Sequence, residues 1–147
     1  MKKLSALISF VLVLICILTS CSLSGKANIS KLKIKESKLD SINVHYHFGE
    51  KDAQLNEEET EKFINLFNEI KKGIIPQGEL VTPDLIITVN YENGSKTSIG
   101  FYGEDYSTID IRPYNKDGEA EDWYYANGAA VDELRKYAYE TAKAITK

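Results

Sequence analysis

Two histidines have the spacing that most directly suggests chemistry. His45 and His47 are the only histidines in the chain, and they lie two positions apart in an alternating stretch that predicts a β-strand. Side chains at this spacing leave the same face of a strand, so the two imidazoles could chelate Zn²⁺ or Cu²⁺. A stable site needs three or four ligands, and Glu50 and Asp52 are the nearest candidates. The competing interpretation is two solvated histidines on a polar strand face.

Aromatic residues form a second group of candidates. Seven of the fourteen aromatic residues that follow Cys21 lie between positions 101 and 125. Consecutive side chains on a strand point to opposite faces, so the Trp123–Tyr125 run cannot lie entirely in a core. We expect at least one of these rings to be exposed, or covered by the loop that carries Tyr106. Exposed Trp and Tyr are typical of interfaces and sugar platforms, whereas cross-strand aromatic pairs can also be purely structural. The candidate binding residues are Arg112, Trp123 and Tyr125.

Catalytic patterns are absent from the sequence. It contains no Gly-x-Ser-x-Gly motif, no phosphate-binding loop and no His-Glu-x-x-His pair. The acidic segment 115–122 does not fit a calcium loop, because Pro113 and Tyr124 stand where carboxylate ligands are required. We therefore expect neither an enzyme nor a bound cofactor. A cell-wall hydrolase that uses two of the many carboxylates is an alternative.

The N-terminus carries a processing signal. Lys2 and Lys3 precede an apolar run over 4–18, whose ~15 residues are shorter than the roughly 20 that a membrane-spanning helix needs. The run ends in Leu-Thr-Ser-Cys at positions 18–21, which resembles the lipobox of bacterial lipoproteins. This resemblance implies that residues 1–20 are a signal peptide and that Cys21 becomes the lipidated N-terminus. The mature protein would then be held on the outer face of the cytoplasmic membrane by two acyl chains. An ordinary secretory signal or a short uncleaved anchor are the alternatives.

Cysteine use and charge exclude several classes of function. Of the two cysteines, Cys16 lies in the predicted signal peptide and the sulfur of Cys21 would carry lipid. A disulfide framework, a thiolate nucleophile and a cysteine-based zinc site are therefore excluded. Removal of residues 1–20 takes away Lys2 and Lys3, so 16 basic residues would face 22 acidic ones and the net charge would be −6. This balance argues against nucleic-acid binding and against electrostatic adhesion to anionic lipid.

The remaining chain is expected to form one domain. Residues 21–30 are small and polar and predict a flexible tether, and residues 31–147 have the length of a single domain. A helix is predicted from its Asn56 cap to Gly73, and a second one after Gly128. The predicted strands cover 31–35, 42–48, 85–91, 97–102, 108–112 and 122–126.

This order of elements predicts an α+β fold, with an antiparallel meander sheet of about five or six strands and two helices packed on one face. The acidic-headed helix, Pro83-Asp84, the Asn93-Gly94 turn and the final helix give residues 41–140 a pattern similar to uncharacterised small lipoproteins of Gram-positive bacteria. This resemblance implies a fold and a surface location. We interpret the protein as a lipid-anchored, non-enzymatic binding or accessory domain with a protein or cell-wall partner. A metal-binding lipoprotein and a cell-wall hydrolase are the alternatives.

Overall fold

The computed structural model describes residues 26–47, 50–74 and 82–146. Within them the chain forms one antiparallel sheet and two α-helices, which confirms the predicted α+β class. The helices are α1 (Glu57–Asn68) and α2 (Ala129–Ile145). The eight strands are β1 (Lys26–Asn28), β2 (Leu39–Tyr46), β3 (Lys51–Gln54), β4 (Lys72–Ile74), β5 (Leu85–Tyr91), β6 (Lys96–Phe101), β7 (Thr108–Tyr114) and β8 (Tyr124–Asn127).

The strands lie across the sheet in the order β1-β4-β8-β7-β6-β5-β2-β3. Four consecutive strands, β5 to β8, form the predicted meander, in which each strand pairs with the next. The predicted turn at Asn93-Gly94 joins β5 to β6, and Gly94 adopts the positive φ of 83° that favours glycine.

The sheet has eight strands rather than five or six because β1, β3 and β4 are only three or four residues long. Segments of that length show no measurable alternation, and none of the three was predicted as a strand. Strand β1 lies inside the predicted tether and pairs with β4, so the sheet begins five residues before position 31.

The predicted strand over 31–35 was wrong. Residues 29–32 instead form a 3-10 turn, and the chain then runs extended to a second 3-10 turn over 36–38. The alternation that suggested a strand has a different origin, because Ile34 is buried in the core while its lysine neighbours are exposed. The side chain of Asn68 holds this segment in place by bonding both the N–H and the C=O of Ile34, at 2.9 and 3.0 Å.

Helix α1 begins as predicted, with a capping box at its N-terminus. The Asn56 side chain accepts from the N–H of Glu59, and the Glu59 carboxylate accepts from the N–H of Asn56, both at 2.9 Å. The helix ends at Asn68 rather than near Gly73, since Lys72 and Gly73 belong to β4. Gly73 is needed there for a different reason. A Cβ would lie 2.9 Å from both the Ile29 side chain and the Tyr125 carbonyl oxygen.

The core lies between the helices and one face of the sheet. Alternate residues of the central strands join the apolar stripes of both helices in one buried cluster. Within the described residues, neither α1 nor α2 packs against the other face of the sheet. Tyr139 of α2 stands edge-on to the rings of Tyr46 and Phe101, at centroid distances of 6.1 and 6.2 Å. Its hydroxyl donates to Asp84 and accepts from the N–H of Gly103. We call the sheet face opposite the helices the open face.

Candidate functional site

The open face places several chemically capable side chains next to one another. In the register of the sheet, Asp110 of β7 pairs with Gly100 of β6 on one side and with Tyr125 of β8 on the other. Arg112 lies two residues along β7 from Asp110, so both side chains leave the sheet on the same face. The partner of Arg112 in β6 is Ser98.

Asp110 is the anchor of this group. Only 3% of the residue is exposed, and its Oδ2 accepts from Arg112 Nε at 2.5 Å and from Trp123 Nε1 at 3.2 Å. A buried carboxylate requires such partners, because an unpaired charge is costly away from water. Gly100 provides the space, since a Cβ at that position would overlap Oδ1 of Asp110.

Arg112 is held in one orientation but remains reachable. The centre of its guanidinium lies 4.3 Å from the centroid of the Trp123 ring, a cation–π arrangement. Burial alone would lower the pKa of Arg112, but the charge of Asp110 and the hydrogen bond to it together raise that pKa. The Arg112 side chain is 37% exposed. Its Nε–H is the group that donates to Asp110. The terminal NH groups are therefore not needed for the ion pair.

Aromatic rings frame the pair. Trp123 and Tyr125 meet edge to face, with centroids 5.4 Å apart. Burial, followed by the charge of Asp110, raises the pKa of Tyr102 above its usual value, so its phenol stays protonated. The buried Tyr102 hydroxyl lies beside Arg112, whose charge and hydrogen bonding work against this rise in the pKa. We call these five residues the arginine–tryptophan cluster: Tyr102, Asp110, Arg112, Trp123 and Tyr125.

The structure thus brings the three predicted binding residues, Arg112, Trp123 and Tyr125, into one group. Tyr124 points into the core while Trp123 and Tyr125 lie on the open face, as the alternation predicts. None of the three rings is fully exposed, however, because only 8% of Tyr125 is exposed and Trp123 is partly buried. Sequence reasoning missed Asp110 and Tyr102. For Asp110 a signal was available, since an acid two residues before Arg112 on a strand shares its face. Tyr102, which follows the last residue of β6, belonged to the aromatic group at 101–125, but no local pattern singled it out from the other rings.

The two histidines do not share a strand face as predicted. Strand β2 ends at Tyr46, and His47 adopts a left-handed conformation with a φ of 51°. Its ring stacks on that of Tyr46 at 3.8 Å. His45 instead pairs across the β2–β3 ladder with Asp52, with 2.7 Å between Nδ1 and Oδ1.

No third ligand joins the histidines in the regions that the structure covers. Among residues 26–47, 50–74 and 82–146, no three His, Cys, Asp or Glu side chains are grouped so that they could hold a metal ion. Glu50, the other ligand candidate, is exposed. The geometry therefore adds nothing in favour of the metal-binding alternative.

The lipidation candidate, Cys21, lies outside the described residues, as do the predicted signal peptide and most of the tether. Of the helices in the described ranges, neither is long and apolar enough to cross a bilayer. The chain matches no protein-family model, no curated protein and no solved structure.

Proposed function

We propose that this protein is a lipid-anchored binding or accessory domain outside the cytoplasmic membrane, and that the arginine–tryptophan cluster is its recognition surface. The observation that carries the proposal is the fixation of Arg112 between the carboxylate of Asp110 and the ring of Trp123. Cys21 would supply retention at the membrane, and the domain would present its open face to a partner.

The residue types of the cluster support recognition of a protein. Trp, Tyr and Arg are the residues that most often dominate the binding energy of protein interfaces. Here the Arg112 side chain is ordered before any partner binds, which lowers the conformational entropy lost on association. Its charge is compensated by Asp110, so a neutral polar segment fits better than a strongly acidic one.

The surroundings of Asp110 favour binding over hydrolysis. Sugar hydrolysis in most families needs two carboxyl groups that face each other across the substrate. The Asp110 carboxylate is covered and is shared between Arg112 and Trp123, so it is poorly placed to reach a substrate. We therefore propose no catalytic role for it.

Capture from detergent-solubilised membranes tests the proposal. The full chain is expected to retain a discrete partner, and Trp123→Ala or Arg112→Ala is expected to weaken retention by about 30-fold or more, the effect of losing a hot-spot residue. Lys136→Ala removes an exposed charge from α2 and serves as the matched control. A partner retained equally by wild-type protein and Trp123→Ala, or the recovery of glycan without protein, would overturn the assignment.

The anchor has its own test. Growth with labelled palmitate should label the wild-type polypeptide, and Cys21→Ala should remove the label and release the protein from the membrane fraction. Unlabelled wild-type protein would contradict the lipidation of Cys21, whatever the outcome of the capture experiment.

A further inference from the structure

A lysine-lined groove lies at the end of the sheet that carries the Asn93-Gly94 turn. The groove has a volume of about 450 Å³. Its walls come from the N-terminal segment on one side and from the β5–β6 hairpin on the other, and the lining residues are Lys31, Lys33, Lys35, Lys38, Tyr91, Glu92, Asn93 and Ser95. We call this feature the lysine groove.

The backbone between β1 and β2 forces these lysines outward. Ile29 and Ile34 are almost fully buried, at 3% and 2% exposure, and Asn68 ties down the backbone of Ile34. With these apolar side chains fixed inward, Lys31 and Lys33 between them, and Lys35 directly after Ile34, project to solvent, and Lys38 is exposed as well. The place of these lysines along the groove therefore follows from the packing of the backbone that carries them.

Most of this positive charge is uncompensated by the protein. Lys31 pairs with Asp122 at 3.3 Å and lies 5.5 Å from the centroid of the Tyr124 ring. For the other three lysines of the groove, the described part of the chain provides no ion pair, and Glu92 is the single acid among the lining residues. A concave surface with several unpaired ammonium groups is complementary to an anion.

The groove also lies close to the predicted anchor. Lys26, the first described residue, is five positions after Cys21, and five extended residues span at most about 18 Å. Lys31 follows Lys26 by another five residues. If Cys21 carries lipid, covalent reach alone keeps this end of the domain near the membrane surface.

We propose that the lysine groove binds the phosphate groups of anionic phospholipids in the leaflet that holds the anchor. This inference rests on the lipidation of Cys21 in the proposed function. The net charge of the chain predicted no adhesion to anionic lipid, but the charge is unevenly distributed, and the basic groove is the part closest to the bilayer. Binding there would fix the orientation of the domain on the membrane.

Lysine reactivity in reconstituted vesicles tests the proposal. The protein purified from bacterial membranes is incorporated into phosphatidylcholine vesicles with or without phosphatidylglycerol, and the acetylation rate of each lysine is measured by mass spectrometry. With phosphatidylglycerol, Lys33, Lys35 and Lys38 should each react about fivefold more slowly, the factor that corresponds to the attraction of one lysine to an anionic surface. Lys51 and Lys136 lie towards the opposite end of the sheet and should react equally in both vesicles.

Variants identify the groove as the cause of protection. Lys35→Gln combined with Lys38→Gln should reduce the protection of Lys33 to less than about twofold. Lys51→Gln combined with Lys136→Gln removes the same charge elsewhere and should leave that protection intact. High salt should abolish it, since surface attraction is screened.

The outcomes separate this proposal from the proposed function. Failure of the wild-type protein to float with vesicles of either composition would disprove the anchor. Flotation with equal acetylation of the groove lysines in both vesicles would overturn the lysine groove alone. A third outcome is that inorganic phosphate slows acetylation of the groove lysines on phosphatidylcholine vesicles at matched ionic strength, while phosphatidylglycerol has no effect. This result would assign the groove to free phosphate and overturn the lipid assignment.

Discussion

Gly100 and Asp110 face each other across strands β6 and β7, and the Asp110 carboxylate occupies the space that a side chain at position 100 would fill. The absence of a Cβ on one strand thus permits a buried charge on the next. That charge in turn fixes Arg112 and Trp123. The shape of the proposed recognition surface therefore depends on a residue that contributes no side chain to it.

Gly100→Ala is expected to destabilise the protein and to disturb the cluster. The added methyl group overlaps the Asp110 carboxylate, and overpacking of this kind costs about 1–3 kcal/mol. Urea unfolding measures the loss, and Trp123 is the only tryptophan, so its emission reports on the cluster directly. Ser98→Ala, two residues earlier on the same face of β6, is the control and should change stability by less than about 0.5 kcal/mol. Equal stability of Gly100→Ala and Ser98→Ala would show that Asp110 does not need this space.

Asp110→Asn is expected to break the ion pair while keeping an acceptor for the indole of Trp123. Loss of one partner of a fully buried pair costs about 3–5 kcal/mol. We expect roughly 1–3 kcal/mol here, because 37% of the Arg112 side chain is exposed and water screens part of the charge. Asp52→Asn removes the exposed partner of His45 and should cost less than about 1 kcal/mol in the same urea titration. A variant as stable as wild type, with unchanged tryptophan emission, would argue against Asp110 as the anchor.

Asn56→Ala tests the capping box of α1. Loss of the side-chain acceptor for the N–H of Glu59 should lower the free energy of unfolding by about 1 kcal/mol. Asn65→Ala lies on the exposed side of the same helix and should be neutral or stabilising, since Ala has the higher helix propensity. Thermal unfolding of both variants provides the comparison, and an equal change in each would mean that the cap contributes nothing specific.

Alkaline pH should destabilise the protein through Tyr139. Burial, and then the hydrogen bond to Asp84, raise the pKa of Tyr139 above its ordinary value of 10.0. Below pH 10 the Tyr139 hydroxyl is protonated in both the folded and the unfolded chain, so its contribution to the free energy of unfolding is constant. Above it the unfolded chain ionises first, so stability falls as pH rises, by up to about 1.4 kcal/mol per pH unit for this group.

Tyr139→Phe should therefore be less stable at neutral pH, because it loses two hydrogen bonds, but should lose stability less steeply above pH 10. Urea titrations at a series of alkaline pH values measure both slopes. Tyr106→Phe changes a half-exposed ring and is the matched control. If the two variants lose stability at the same rate above pH 10, burial of the Tyr139 hydroxyl is not the cause of the alkaline loss.

The long elements of the fold were predictable from the sequence because their periodic patterns span several residues. Helix α2, the capped start of α1 and the β5–β8 meander all follow from apolar spacing and turn residues. The short strands could not be predicted in this way. Lys72-Gly73-Ile74 has no alternation, and its pairing with β1 and β8 depends on contacts between distant parts of the chain.

The candidate site was also predictable only in part, because its assembly depends on contacts between distant parts of the chain. Alternation in the aromatic run at 123–125 predicted that Trp123 and Tyr125 leave the same face, and Arg112 stood out as one of two arginines. The expected exposure of these rings was not reached, because only 8% of Tyr125 is exposed and Trp123 is partly buried. The assembly of these residues around Asp110 depends on the register between β7 and β8, which no local pattern determines. The prediction that His45 and His47 share a strand face was wrong, because alternation fixes a face only while the strand continues, and β2 ends one residue before His47.

Site-specific photo-crosslinking from the cluster tests the central claim most directly. Tyr106 is half exposed, and its ring centroid lies 6.1 Å from that of Tyr102. The photo-reactive residue p-benzoyl-phenylalanine at position 106 therefore lies beside the recognition surface. The experiment uses the protein expressed from its full sequence, in bacterial membranes. Lys136 on α2 is the control position. We predict one discrete protein adduct from position 106, lost when Trp123→Ala is added, and none from position 136. The absence of an adduct at position 106, or an adduct unaffected by Trp123→Ala, would contradict the account.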